Sequence, residues 1–577
     1  MLTSIRITKI GLLFCLAAVW SNAQAASTLW FTTSSPVNYG SDAPRAGTIA
    51  SLSFSATLNP ATVSTNHVTL RRRGSTTAEP IAISTSGNAF FVMPNRELLP
   101  ATTYTISVED LQGSKGELLS NPFSITFRTR DAQWQSAQQL QNGIGIITAS
   151  HLAMNKDGSA MAIWSQQTNS SKTSLWASRY NGQQWEAAQP VSNNPDGEVL
   201  YSAIAVGPNG TAAAVWQEHY ESGYNNDSNI LFRIWASVFS PASGWTIPHM
   251  VDSGNSQHTW SSPQVAITAD GKVTVVWSQD TGTSPRTSPN QYIGRIFATQ
   301  YIQDSGWTMP TILDAYSKYG SIDPSIAFDG NNYGYALWEQ YWHDAVLVWG
   351  SRYTPDHGWA APQIIQTDRT RSSSNVQIAF DGQGNAIAVW IQIRDIVTAR
   401  YKRDQGWNAA VAVKSESYSS GNTSQIAAPG IAMNKNGDAF VVWTELVPTS
   451  STGTVTRLRS IPWSMRYTVK GGWESPVLLE SPDAYISTTT NGVSIVIDEA
   501  GNALAAWSGN NGAVASIYTN RYQVGKGWIG GQMIDTSNPS GAFNPGLGID
   551  VDGNGLALWE QFDGSGFPSS IWTSHFK

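Results

Sequence analysis

Residues 376–407 read VQIAFDGQGNAIAVWIQIRDIVTARYKRDQGW, and much of the chain restates them. Two anchors make the unit countable: an apolar-Trp dipeptide that ends one strand and a Gly-Trp that begins another. The first recurs at Trp164, Trp216, Trp277, Trp338, Trp390, Trp443, Trp507 and Trp559. The second recurs at Trp185 (where Gln184 replaces the glycine), Trp245, Trp307, Trp359, Trp407, Trp473 and Trp528, with a weaker copy at Trp134. Successive first-anchor tryptophans lie 52 to 64 residues apart. Each interval therefore holds a whole supersecondary unit, and repetition at this period points to a propeller, solenoid or array.

Within each unit the residue twelve before the first anchor is aliphatic: Leu152, Ile204, Val265, Ile326, Ile378, Ile431, Ile495 and Leu547. A small residue follows it in most copies, as Ala379 follows Ile378, which suits a strand whose neighbours approach closely near a central axis. A tight Asn/Asp/Gly turn such as Asp381–Asn385 then leads to the strand that carries the Trp. A third strand reads aromatic-small-x-polar-aromatic, as in Trp349–Tyr353, and a fourth reads Gly-Trp-x-x-Pro. Proline removes a ladder donor, so Pro248, Pro310, Pro362 and Pro476 mark an outer edge. Four antiparallel strands of this kind describe a propeller blade. The last copy stops after three strands at Lys577, and the orphan segment Ala132–Leu140 supplies the missing fourth. The expectation is an eight-bladed β-propeller over residues 131–577, closed by that N-terminal outer strand.

The preceding hundred residues lack the repeat. Short alternating strands such as Ile49–Phe54, His67–Arg71, Ala89–Met93 and Phe123–Arg128, separated by Pro, Gly and Asn turns, predict a β-sandwich. Leu99-Pro100-Ala-Thr-Thr103-Tyr104-Thr-Ile-Ser-Val108 resembles the tyrosine corner of Ig-like domains. With Leu58-Asn59-Pro60 before it and Ile125-Thr-Phe127-Arg-Thr129 closing it, residues 26–130 resemble the bacterial Ig-like domains of surface-layer and secreted enzyme proteins. The resemblance implies a spacer or attachment module. Arg71-Arg72-Arg73 within it is read as a solvated strand edge. The fold class is thus all-β, an Ig-like sandwich followed by a propeller.

Residues 1–25 are expected to be a signal peptide: Arg6 and Lys9 precede the apolar run Ile10–Trp20, and Ala23-Gln24-Ala25 is a small-x-small cleavage site. The single cysteine, Cys15, lies in that run, so an exported chain starting near Ala26 would carry no disulfide. Its final compartment is read as periplasm, cell surface or medium. No later segment is apolar enough to span a membrane. A net charge of −7 gives no reason to expect a nucleic-acid partner, and a monomer without cofactor or metal is expected. Asp550-Val-Asp552-Gly-Asn554-Gly555 resembles half a calcium loop, but Gln561 stands where a bidentate carboxylate is needed.

Turns between strands one and two, and three and four, are short; those between two and three, and four and one, vary. The variable set, including Asp280–Tyr292, Gln340–Val346 and Leu446–Arg457, defines the face expected to bind. Tyr341-Trp342-His343-Asp344 is its one unrepeated aromatic-His-Asp cluster, suited to stack on a sugar and bond its hydroxyls. Glu218-His219-Tyr220, Trp260 and Glu445 are further candidates on the same face. Once-per-unit Trp, Tyr and Arg residues are read as packing between blades. The Ser-x-Asp-x-Gly-x-Thr-Trp boxes of sialidases are missing, as are Gly-x-Ser-x-Gly and His-Glu-x-x-His motifs. Three functions stay open: recognition of a carbohydrate, surface polymer or protein partner; a polysaccharide-active enzyme of glycoside hydrolase type with an accessory Ig-like domain; or a non-catalytic envelope assembly protein.

Overall fold

A computed structural model describes residues 27–577 except 143–144, 168–171, 195–196, 222–229, 253–261, 281–293, 316–319, 416–424, 453–454, 480–491, 511–513, 536–539, 563 and 565–567. The expected signal peptide lies outside the described residues, as do most of the loops 219–229, 251–261 and 280–292. The described chain is all-β, with two 3₁₀ turns at Pro60–Thr62 and Pro208–Gly210. It divides into two compact units, one built from residues up to Arg96 with Thr103–Arg128, the other from Glu97–Thr102 with Thr129–Lys577. No helix among the described residues is long and apolar enough to cross a membrane.

The first unit is a sandwich. One sheet runs Gly40–Ala43, Phe123–Thr129, Thr103–Val108, Val68–Arg72, Ala78–Glu79, and the other Phe31–Ser35, Ala50–Phe54, Ala89–Pro94, Ile81–Ser86. Alternation puts Leu52, Phe54, Phe90, Tyr104, Ile106 and Phe127 in the core. The edge reading of Arg71–Arg73 is overturned: Ala78–Glu79 pairs outside Val68–Arg72, so that strand lies one in from the border.

Among the described residues the second unit builds eight sheets, seven of them with their strands paired in chain order. First strands pack on first or second strands of the preceding sheet, and the contacts return from the eighth sheet (Ala542–Ile549) to the first (Ile147–Met154). Seven sheets are continuous in sequence. In the eighth, Gln138–Asn142 pairs with Pro568–Phe576, the last strand of the chain.

The repeat residues hold the sheets together. All eight first-anchor tryptophans are buried at 0–2% exposure, wedged between neighbours; Trp390, for example, packs with Leu337, Val348 and Ile365 of the preceding sheet. Seven third-strand aromatics meet the second-anchor Trp of their own sheet at 5.1–5.5 Å between ring centres. Phe576 meets Trp134 in the same way at 5.3 Å. Arg179, Arg352, Arg400, Arg466 and Arg521 each lie 4.7–5.9 Å over the third-strand aromatic of the next sheet. The glycine of Gly-Trp is required by the turn before it: Gly406 has φ +80° and Gly358 +69°. Proline breaks the outer strand into two short pieces, as at Gly358–Trp359 and Gln363–Ile364 around Pro362.

Two expected loops are hairpins instead. The strands around Gln340–Val346 continue to Trp342 and resume at Ala345, leaving a two-residue turn in which His343 takes φ +52°. Tyr and Trp are strong strand formers, and the ladder carries them outward. Leu446–Arg457 likewise extends the strands Ala439–Thr452 and Val455–Thr468.

Candidate functional site

The first strands carry the site. In five sheets the residue fifteen before the buried Trp is left-handed: Ala149, Asp323, Asn375, Ala428 and Asn544, at φ between +47° and +57°. Each sits in a bulge where the first strand slips register against the second. Bulges re-aim side chains at the N-terminal ends of these strands. Tyr201, Ser262 and Gly492 occupy the same position in the other three sheets.

The ends from the first, second, third, sixth, seventh and eighth sheets line a cavity of about 680 Å³, whose walls include Ser150, His151, Tyr201, Gln264, Ser494 and Asn544, while Asp323 and Asn375 are not among its lining residues. Aliphatic Leu152, Ile204 and Leu547 line it as well. No Lys, Arg, Asp or Glu is among the described lining residues. His151 is exposed to water, and desolvation by the protein crowded around it pushes its pKa down to about 4. Near neutral pH the lining is therefore uncharged. Tyr201 is 50% exposed and offers a ring face.

Buried carboxylates support the rim from behind. Glu560 accepts the Ser150 backbone N–H across the seam at 2.8 Å and the Asn544 side-chain amide at 2.9 Å. Glu339 accepts the Asn375 N–H across the next seam but three. Burial raises both carboxyls, Glu339 to about 8 with added repulsion from Asp323. These two acids were not singled out in the sequence, although Leu-Trp-Glu-Gln stands at both 337–340 and 558–561.

The candidates read from sequence are scattered. Tyr341 and Trp342 are 40% and 37% exposed at a hairpin tip, with Trp342 against Trp349 at 5.4 Å; His343 and Asp344 form its turn. Glu218 is buried, taking the Trp216 indole N–H at 2.8 Å and the Tyr220 hydroxyl at 2.5 Å. Burial and Glu218 raise the Tyr220 pKa. His219 lies 3.5 Å from Glu198, and Glu445 is half-buried on the sixth sheet's second strand. None of these lines the cavity, and Trp260 lies outside the described residues. Residues at the Glu218 position bond their own tryptophan instead: Gln166, Gln279, Gln340 and Gln561 accept indole N–H groups at 2.8–3.3 Å. Gln279→Leu is accordingly expected to lower stability by about 1–2 kcal/mol, by orphaning a buried donor, with no change in ligand binding; urea denaturation measures it. Asp550, which begins the calcium-like string, spends both oxygens on its own turn.

Comparison with known proteins adds the following. Residues 26–129 match the family model described as "Bacterial Ig-like domain". No curated protein matches the chain. Similar solved structures include a protein of unknown function from Dyadobacter fermentans DSM 18053, at 9% identity and TM-score 0.37, covering 77% of this chain and 99% of that one. The Hadza microbial sialidase Hz136 shows 10% identity and TM-score 0.36, covering 94% and 98%. Polysaccharide lyase Uly1 shows 9% identity and TM-score 0.42, covering 77% and 99%.

Proposed function

We propose that the protein is exported, that its eight sheets are the blades of a closed propeller, and that it binds a neutral glycan at the first-strand end of the central channel. The observation that carries this reading is the uncharged cavity. Its hydroxyl, amide and imidazole groups suit sugar hydroxyls, and Tyr201 and the aliphatic wall suit pyranose C–H faces; few polar groups on an apolar floor are what such a ligand needs. The hairpin tip at Tyr341–Asp344 would be a separate contact for a long chain. A polysaccharide-active enzyme is the second reading, favoured by the coupling of Glu339 to Asp323. Glu339 is 4% exposed and bound to the Asn375 amide, which suits a structural acid better than one that meets a substrate.

A glycan array probed with the mature chain tests the binding reading. Neutral oligosaccharides should be retained, and Tyr201→Ala and Asn544→Ala should each weaken the retained ligand roughly tenfold, the scale of one lost stacking face or one lost buried hydrogen bond. An array silent toward neutral sugars, or binding indifferent to both substitutions, would remove the channel mouth as the site.

A further inference from the structure

One face of the Ig-like unit is cationic, in contrast to the uncharged cavity of the repeat unit. In the sheet containing Thr103–Val108, alternation turns Tyr104, Ile106 and Val108 inward and leaves Thr103, Thr105 and Ser107 facing out. Register supplies their neighbours. Arg73 donates its backbone N–H to Thr103 on one side, and Arg128 pairs with Thr103 on the other. In the next row Arg71 and Thr126 flank Thr105, and beyond it Thr69 and Ser124 flank Ser107. The face thus presents Arg-Thr-Arg, then Arg-Thr-Thr, then Thr-Ser-Ser.

Two strand spacings separate Arg73 from Arg128, about 10 Å between backbones, so two long side chains on one face are able to close on a single anion between them. A cavity of about 410 Å³ lies there, lined by Tyr39, Gly40, Arg73, Thr103, Thr105, Thr126, Phe127 and Arg128, without a carboxylate among them. Tyr39 borders it. Its ring is 83% exposed while its backbone sits at φ +63°, a region that bulky side chains rarely enter. Two bonds hold it there: the Tyr39 N–H donates to the Thr126 carbonyl, and the Thr126 N–H donates to the Asn38 side chain. A solvent-open aromatic fixed in a strained conformation beside paired arginines is a built feature.

We propose that this face binds an acidic glycan: Arg73 and Arg128 take the anionic group of one sugar residue, the threonines bond its hydroxyls, and Tyr39 stacks on the ring. Guanidinium forks match carboxylate, sulfate and phosphate alike, and the aromatic rim selects a cyclic sugar over an acidic peptide. This site is independent of the channel-mouth reading. Binding of the full mature chain to polygalacturonate, dextran sulfate, neutral dextran and poly-glutamate, at low and at moderate salt, tests it. At least one of the two acidic glycans should bind, more weakly as salt rises, and which one identifies the anionic group. Arg73→Ala and Arg128→Ala should each weaken it roughly tenfold or more, Arg73→Lys should restore only part, and Tyr39→Ala should weaken it without altering the salt dependence. Tyr201→Ala should leave it unchanged. No acidic glycan bound, binding unaffected in the Arg73→Ala/Arg128→Ala double variant with its melting temperature intact, or poly-glutamate held as tightly as the glycans would each overturn the assignment.

Discussion

A chain shortened to residues 143–577 is expected to lose the cooperative unfolding transition of its repeat unit and to bind a hydrophobic dye. What it lacks is the segment that joins the two ends of the array. Gln133 and Lys577 exchange backbone hydrogen bonds at 2.8 and 3.0 Å, and Gln135 donates to His575 at 2.7 Å. Asp131 meets Arg521 at 3.5 Å and accepts from Gln523. Apolar burial is lost at two seams: Ala132 and Trp134 pack with Leu504, Ile534 and Trp559, while Leu140 packs with Trp164, Leu558 and Ile571. A half-buried Trp and Leu are together worth about 5 kcal/mol when truncated, the low end of what two fully buried ones would give, and a large share of the roughly 5–15 kcal/mol that holds a typical fold. A graded test keeps the chain whole. Trp134→Ala/Leu140→Ala should lower the melting temperature of the repeat unit by about 5 °C, given the large unfolding entropy of so long a unit, and leave the Ig-like transition in place. Adding a peptide of residues 130–142 in excess should restore the shortened chain. Unchanged unfolding of the 143–577 fragment would mean that the array does not depend on this closure.

The architecture was legible because its determinants repeat. A Trp between sheets recurs eight times, a glycine before the outer strand six times and a proline within that strand four times, and periodicity exposes them. The cavity was not legible by the same means, because its lining differs from one copy to the next. Fifteen residues before the buried Trp the chain reads Ala149, Tyr201, Ser262, Asp323, Asn375, Ala428, Gly492 and Asn544. Variation at one fixed position of an otherwise constrained repeat was the available signal. Tyr341–Asp344, chemically conspicuous in the sequence, forms a hairpin tip that does not line the cavity. Proline at 263, 324, 429 and 545, two residues before the aliphatic position in the third, fourth, sixth and eighth copies, also marked these strand ends. The arginine run at 71–73 misled for a different reason: sequence shows alternation along a strand but not which strand pairs outside it.

Glu339→Gln is expected to raise stability at alkaline pH and to leave it nearly unchanged in acid. Burial, with repulsion from Asp323, lifts the Glu339 carboxyl from an ordinary 4.5 to about 8, and amide donors from Asn375 and Val376 offset only part of that. Below the unfolded value both folded and unfolded states hold the proton, so the group contributes no pH dependence there. Between that value and the folded one, the folded chain binds the proton and the unfolded chain does not; stability therefore falls as pH rises, and levels off once the folded group ionises. The penalty for a side chain only 4% exposed is on the order of 3 kcal/mol at pH 9. Glutamine keeps an oxygen for the Asn375 N–H and never ionises, so the variant escapes the penalty. Glu339→Ala removes the acceptor as well and should lose about 1–3 kcal/mol at pH 5 by leaving buried amides unpaired. Glu560 and the other buried acids contribute the same slope to all three proteins, and the difference between variants isolates Glu339. Urea midpoints at pH 5, 7 and 9 decide the matter: parallel curves for wild type and Glu339→Gln would show that the Glu339 carboxyl titrates as it would in water, and that its seam is open to solvent.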